Sequence, residues 1–386
     1  MSLFSQILVA RATLFAFAAM GVLWGAYAAL IPDTKAMLGV GDAAFGTLIL
    51  ATPIAATATM LVAPRLAPRL GRHVLPLACV ATGLAFAVPG WFAVPALFAF
   101  AMVFVGSANG FLDVTMNARV AAIEADHGLH LMNLNHAAYS FGYAASAILT
   151  GMARDAGWSP GTILGTASVV IVLGSVLAVE SGPGVNGFAR AKSVPRRLGL
   201  LPVWGGLIAM IAFMAENSSE NWSALHIERT LGGSKHQGSF GPAVLALTMG
   251  VGRMFGQFLS AHVDEGRMMR WGAVVAALGT AIVGLAPDPV VAYGGLIVAG
   301  LGGSVLAPNV FAVVGRLSTP DLRAHMIARA TAFGYLGYFF GPPMLGFLSE
   351  ILGLAYALVV MAGVILTILV LYPRLIAVGA QVRHKT

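Results

Sequence analysis

Apolar stretches of about twenty residues recur along the whole of this 386-residue chain. That is the length an α-helix needs to cross the hydrocarbon core of a bilayer. Twelve are marked: residues 10–31, 43–63, 74–92, 96–117, 131–152, 161–180, 200–222, 238–260, 271–287, 290–314, 330–349 and 354–373. Transmembrane barrel strands would be about 10 residues long and alternate with period two, which these runs do not. Only 10% of the residues are charged, against roughly 25% in a soluble domain. The chain is therefore predicted to be an all-α membrane protein with twelve transmembrane helices. The first run is too long for a cleavable signal peptide.

The net charge of +7 would suit nucleic acid, but its distribution does not. Twelve spans put both termini on one side. Seventeen of the 22 lysines and arginines fall on that side, four on the other, and Arg253 lies within a span. The positive-inside rule then predicts cytoplasmic termini in the cytoplasmic (inner) membrane, with lipid and no nucleic acid as partner. The single cysteine, Cys79, excludes a disulfide framework and a thiolate metal site. No cofactor or metal is expected, and the chain reads as a monomer.

The longest polar connection, "SGPGVNGFARAKSVPRRLG" at 181–199, separates six spans from six. It reads as a basic cytoplasmic linker on the anionic inner leaflet, between an N-terminal bundle (1–180) and a C-terminal bundle (200–386). The halves echo each other: "FGTLILA" from Phe45 against "FGPAVLA" from Phe240, and "FGY" at Phe141 and Phe333. Two pseudo-symmetric six-helix bundles are thus expected. Glycines spaced by four, such as Gly21/Gly25, Gly106/Gly110, Gly252/Gly256 and Gly337/Gly341, suit close helix packing in lipid.

Polar groups inside spans normally face protein or a water-filled path. Spans three, nine and twelve contain no Asp, Glu, Asn, Arg or Lys in their interiors. Span four carries Asn109, Asp113 and Asn117, four apart and so on one helix face over about 12 Å. Span five carries His136 and Ser140. Reckoned level across a short loop near 118–130, Asp113 falls at the depth of His136 and Asn109 at that of Ser140. An Asp113–His136 acid–base pair, or a static polar clamp, would follow. Span seven ends in "MAENSSENWSALH", with Glu216 and Asn217 inside it, Glu220 reading as a solvated loop acid and Trp222 as an interfacial anchor. Trp24 and Tyr27 in span one are candidates to line a solute path or to pack. Asn309 follows Pro308, which loosens the backbone of span ten. Arg253 reads as snorkelling or as pairing with Asp264.

The stretches "GSANGFLDVTMN", "LMNLNHAAYSFG", "IPDTKAMLGVGDAAFGTL", "AENSSENWS" and "GYFFGPPMLGFL", taken in order, resemble the major facilitator superfamily, in particular its fucose-permease-like branch of proton-linked transporters. The likeness spans essentially the full chain. It implies two six-helix bundles around a central cavity, alternating access, and an acidic proton-coupling residue in the fourth helix, which falls on Asp113. His136, Ser140, Glu216, Trp222 and Ser223 match residues of the branch's fifth and seventh helices. The sequence departs from the family in its first latch loop. There "PRLAPRLGRH" has Pro64 and Pro68 in place of Gly and Asp, while Arg69, Gly71 and Arg72 remain. The second copy keeps Asp264, Gly266 and Arg267. Asn217 and Asn221 stand where Gly and Asp are expected, and span one has no interior acid.

The expected function is secondary active transport of a small polar, sugar-like solute, coupled to protons. Asp113 and His136 would carry the proton. Trp24, Tyr27, Asn109, Asn117, Ser140, Glu216, Asn217, Asn309 and Tyr335 would face the solute, and Arg69, Arg72, Arg253, Asp264 and Arg267 would serve the conformational change. Two other readings remain: export of a hydrophobic or cationic compound, and a membrane accessory protein that moves nothing. An enzyme is not expected, since no H-E-x-x-H, G-x-S-x-G or phosphate-loop motif occurs.

Overall fold

The apolar runs become helices in the computed structural model, which describes residues 3–180, 199–259, 262–319 and 322–383. Most of the 181–199 connection lies outside those residues. Among the described residues, besides a short helix at Ile31–Leu38, there are twelve long helical runs. They are α1 (Leu3–Ala29), α2 (Asp42–Leu48 and Ala51–Leu70), α3 (Val74–Phe86), α4 (Pro95–His127), α5 (Met132–Asp155) and α6 (Pro160–Gly174), then α7 (Leu201–Leu225), α8 (Lys235–Leu259), α9 (Glu265–Leu285), α10 (Pro289–Gly303 and Leu306–Leu317), α11 (Arg323–Gly334 and Leu336–Leu352) and α12 (Leu354–Leu366 and Ile368–Arg383). The twelve-helix count stands, and no strand occurs among the described residues.

Eight stretches are long and apolar enough to cross a membrane, one of them holding both α2 and α3; α5, α8 and α11 lie outside all eight. Those three helices carry much of the polar content: His136 and Ser140, Arg253, and Arg323 with Arg329. Their polar groups lower the mean hydropathy without preventing a helix, because one helical face is enough to bury in protein. Elsewhere apolar side chains face outward, among them Leu61, Phe100, Leu173, Trp271 and Leu285, as lipid contact requires.

The chain forms two compact units, residues 1–190 with 234–247, and residues 191–233 with 248–386. Within the first unit, α1 packs along α5, α2 along α4, and α3 against α4 and α6. Within the second, α7 packs along α11, and α9 against α10 and α12. Three of these pairings repeat with an offset of six helices, the internal symmetry that the sequence echoes suggest.

Glycine sets the closest approaches. A Cβ on Gly21 or Gly25 would lie 2.1 Å from the carbonyl oxygen of Tyr139 or Tyr143 on α5. On α4, a Cβ on Gly106 would lie 2.1 Å from the Thr52 carbonyl oxygen. No side chain fits there, so backbone meets backbone as small-residue packing allows. Gly341 differs, with its nearest neighbour 3.4 Å away.

Several boundaries differ from the sequence reading: α1 begins at Leu3, α2 ends at Leu70, α11 begins at Arg323 and α12 reaches Arg383. Helix α4 continues to His127, so the connection to α5 is only 128–131. Residues 118–127 are helical but charged, which hydropathy reads as loop. Glu124 caps the next helix by accepting from the Leu131 and Met132 N–H groups. Helix α7 runs unbroken through "ENSSEN" to Leu225, followed by one π-turn over His226–Thr230. Finally, α10 is interrupted after Gly303. Pro308 lacks the N–H that would bond the Ser304 carbonyl, so the helix loosens one turn before the proline.

Candidate functional site

In the first unit, the Trp24 indole donates from Nε1 to Asn109 Oδ1 at 2.7 Å. This joins α1 to α4 between two half-buried side chains. Trp24 also meets Tyr27 and Phe86 edge to face, with ring centroids 5.7 and 5.2 Å away. Tyr27 is 2% exposed and its hydroxyl is buried without a hydrogen-bond partner. One turn beyond Asn109, the Asp113 carboxylate accepts from Asn117 Nδ2 at 3.0 Å, and the same amide reaches the Asp113 carbonyl oxygen at 2.9 Å. Asn109, Asp113 and Asn117 thus form one polar face of α4, as their spacing predicts.

The expected closeness of Asp113 and His136 rested on a loop near 118–130. With the turn at 128–131, that reckoning no longer sets the two side chains level. Helix α5 is registered against α1 instead, where the His136 ring stands edge-on to Phe17 at 5.0 Å. The Asp113 carboxylate has Asn117, on its own helix, as its hydrogen-bonding partner. Ser140 is buried on α5.

In the second unit, Glu216 and Arg253 form an ion pair, Nη2 to Oε1 at 2.8 Å. Arg253 therefore joins α8 to α7, and neither snorkels nor pairs with Asp264. Glu220, one turn beyond Glu216, is half-buried inside α7 and not a loop acid. Glu220 and Tyr338 both lie within electrostatic reach of Arg253. Trp222 is 0% exposed; the interfacial-anchor reading fails because the helix does not end there. Asn217 Oδ1 is buried and accepts no hydrogen bond. On α11, Tyr335 and Tyr338 stack on Phe213 with centroids 5.9 and 5.2 Å apart. Asn309 is buried and donates to the Val305 carbonyl oxygen at 2.7 Å, within α10.

The latch candidates are peripheral. Arg69, Arg72 and Arg267 are exposed, and Arg72 Nε lies 3.3 Å from His73 Nε2. Asp264 caps α9 by accepting from the Arg267 N–H at 3.2 Å.

One cluster escapes the sequence reading. Arg154, 1% exposed at the end of α5, donates from Nε and Nη2 to the two Asp33 oxygens at 2.8 and 3.0 Å. Its Nη1 donates to the Lys235 carbonyl oxygen and to Ser239 Oγ, at 3.1 and 3.2 Å. Burial raises the Asp33 pKa, but the hydrogen bond and charge of Arg154, with the charge of Lys235, outweigh it and hold the carboxyl below its ordinary value. Hydropathy counts Arg154 as a loop charge. The available signal is that Asp33, Arg154 and Lys235 all fall at span ends on one side of the topology.

Comparison with known proteins places these observations. Residues 205–384 match the model of the Major Facilitator Superfamily. The chain is 28% identical over 361 residues to an uncharacterized MFS-type transporter of Yersinia pestis, covering 92% of this chain and 93% of that one. In structure it resembles the nucleoside transporter NupG, with a TM-score of 0.74, 15% identity and coverage of 96% and 98% of the two chains. It also resembles a D-xylose-proton symporter, with a TM-score of 0.68, 15% identity and coverage of 96% and 98%. At these identities the structures speak to the fold, which is the one the sequence resemblance implies.

Proposed function

Since this chain is a multi-pass membrane protein of the major facilitator type, we propose that it is a secondary active transporter. It moves a small polar solute by alternating access, in symport with protons. The observation that carries this reading is the arrangement on α1 and α4. Trp24 and Asn109 are hydrogen-bonded to each other, and one turn further an acid is held by an amide inside a membrane-spanning helix.

The chemistry follows from the environment. A carboxylate inside a membrane span is costly, and it persists where it has a partner and a task. The Asn117 amide donates to the ionised form of Asp113, while removal from water favours the protonated form. Opposed tendencies of this kind let water access decide whether the proton is bound. The half-buried face of Trp24, backed by the buried Tyr27 ring, suits a sugar-like ring, and the Asn109 amide offers hydrogen bonds to hydroxyls. The structural neighbours named above, a nucleoside transporter and a sugar–proton symporter, handle cargo of this polarity. His136 belongs, in this reading, to the path by which protons reach Asp113, and is not its direct partner.

Orientation and organisation complete the proposal. The bias of seventeen basic residues against four supports cytoplasmic termini. Residues 1–180 and 200–386 act as the two moving halves, with 181–199 as their cytoplasmic connection. The protein works as a monomer in the inner membrane.

The test is reconstitution. A thermal-shift screen over sugars, nucleosides and related solutes identifies candidate cargo. Uptake of that cargo into proteoliposomes is then followed with and without an imposed pH gradient. Gradient-driven accumulation, lost in Asp113→Asn with binding retained, supports the reading. Accumulation that ignores the gradient, or survives in Asp113→Asn, overturns proton symport through this residue.

A further inference from the structure

Glu216, Glu220 and Arg253 hold an imbalance that the transport scheme above does not use. One guanidinium neutralises one carboxylate, and Glu216 already accepts from Arg253 at 2.8 Å. Glu220 is the next acid along the same face of α7, at the i+4 position where side chains are neighbours. Within the membrane-spanning part of the chain, a second negative charge beside the first repels it and loses its hydration. A group in that position is neutralised by a cation or by a proton. A separate observation favours the proton. Asn217 Oδ1 is buried and receives no hydrogen bond, and it stands three residues before Glu220 on the same helix. Residues at i and i+3 also face one another. A protonated carboxyl is a donor, an ionised one is not. With the Asn217 amide oxygen as the orphan, acceptor and surplus acid become complementary when Glu220 carries a proton.

We infer that Glu220 is a second proton-binding site, in the other half of the molecule from Asp113, with Arg253 shared between the two glutamates and Asn217 receiving the hydrogen bond of the protonated form. This rests on the transporter reading but not on the role of Asp113. The charged and titratable groups facing the site are Glu216 on α7, Arg253 on α8, and Tyr338 with its neighbour Tyr335 on α11. When Glu220 releases its proton, it competes with Glu216 for Arg253. The α7–α8 contact then has two alternative pairings, and each proton arrival or departure shifts the choice between them.

The experiment is difference infrared spectroscopy of the full-length protein in nanodiscs, stepped between acid and alkaline pH, reading the C=O stretch of protonated carboxyls. Wild type is expected to show two titrating buried carboxyls. Glu220→Gln should remove one, halving the signal, and Asp113→Asn should remove the other. A Glu220→Gln spectrum identical to wild type overturns the inference. An unchanged Asp113→Asn spectrum instead overturns the role given to Asp113 and leaves this site standing. Should Glu220→Gln not fold, Asn217→Leu serves as the second variant. Loss of the acceptor should move the Glu220 midpoint to lower pH, and an unmoved midpoint overturns the inference. Tetraphenylphosphonium binding that requires Glu220, with no carboxyl signal assigned to it, would overturn the proton in favour of a cationic cargo.

Discussion

Two paired arginines, one buried in the first unit and one half-buried in the second, are treated in opposite ways. Arg154 grips both oxygens of Asp33, which Lys235 Nζ approaches only at 3.8 Å, and spends its remaining donor on the Lys235 carbonyl and Ser239. Arg253 meets one carboxylate and has a second within reach. The first arrangement is saturated and has a single best geometry. The second has more acceptors than it can satisfy at once, and therefore more than one arrangement of similar energy. A matched ion pair fastens; a mismatched one switches. Position differs too: the matched pair ties α5 to the segment after α1, and the spare Arg154 donor reaches the start of α8, while the mismatched set lies along the membrane-spanning stretch of α7.

The comparison breaks if the two sites respond alike to loss of an acid. The largest effect is expected for Asp33→Asn. It leaves a guanidinium that cannot deprotonate at a site with 0% side-chain exposure, a loss of about 3–5 kcal/mol. Denaturant titration in mixed micelles measures it, and a loss below about 1 kcal/mol, the scale of an exposed pair, would show that the pair is not what holds this region. Glu216→Gln should cost far less, because Glu220 takes over Arg253. The double variant Glu216→Gln/Glu220→Gln should then exceed the sum of the singles by about 0.5–3 kcal/mol, and simple additivity would remove the claim of shared pairing. Trp24→Phe sets the scale for a neutral contact. It loses the hydrogen bond to Asn109 and should cost about 1 kcal/mol, less than Asp33→Asn in the same assay.

Acidity sharpens the contrast further. Asp33 has a folded-state pKa below its unfolded one, so its contribution is complete above the unfolded value and is lost as pH falls through the folded value. The Arg154 pair therefore holds through neutral pH and begins to fade only below the ordinary aspartate value of 3.8. The mobility of a nitroxide spin label attached at Trp158→Cys, four residues after Arg154, should stay constant from about pH 8 to about pH 5, where the unfolded aspartate is still ionised. A change across that range would assign the titration to another group.

Much of the fold was readable because hydrocarbon imposes one demand, a run of apolar residues, and twelve such runs appear. The ends were harder. Residues 118–127 and 216–225 are polar, and polar helices look like loops when membrane solubility is the criterion. The Asn109–Asp113–Asn117 face was legible because it is local, set by 3.6 residues per turn. The Glu216–Arg253 and Asp33–Arg154 pairs were not, because their members are 37 and 121 residues apart. Nothing in periodicity brings such residues together. Only the tertiary fold does so, bridging α7 to α8 and α5 to the segment after α1 through long arginine side chains. The levelling of Asp113 with His136 failed for a related reason: a misplaced turn shifts the register of a whole helix.

The contact of Gly21 and Gly25 with the Tyr139 and Tyr143 carbonyls leaves no room for an inserted atom. Helices α1 and α5 consequently travel as a single plank, carrying the indole and the imidazole together. Adaptation toward bulkier or smaller cargo has no freedom along that joint. In the transport scheme proposed above it falls to α4 and the neighbours of α7, and related chains that carry different solutes are expected to differ there first.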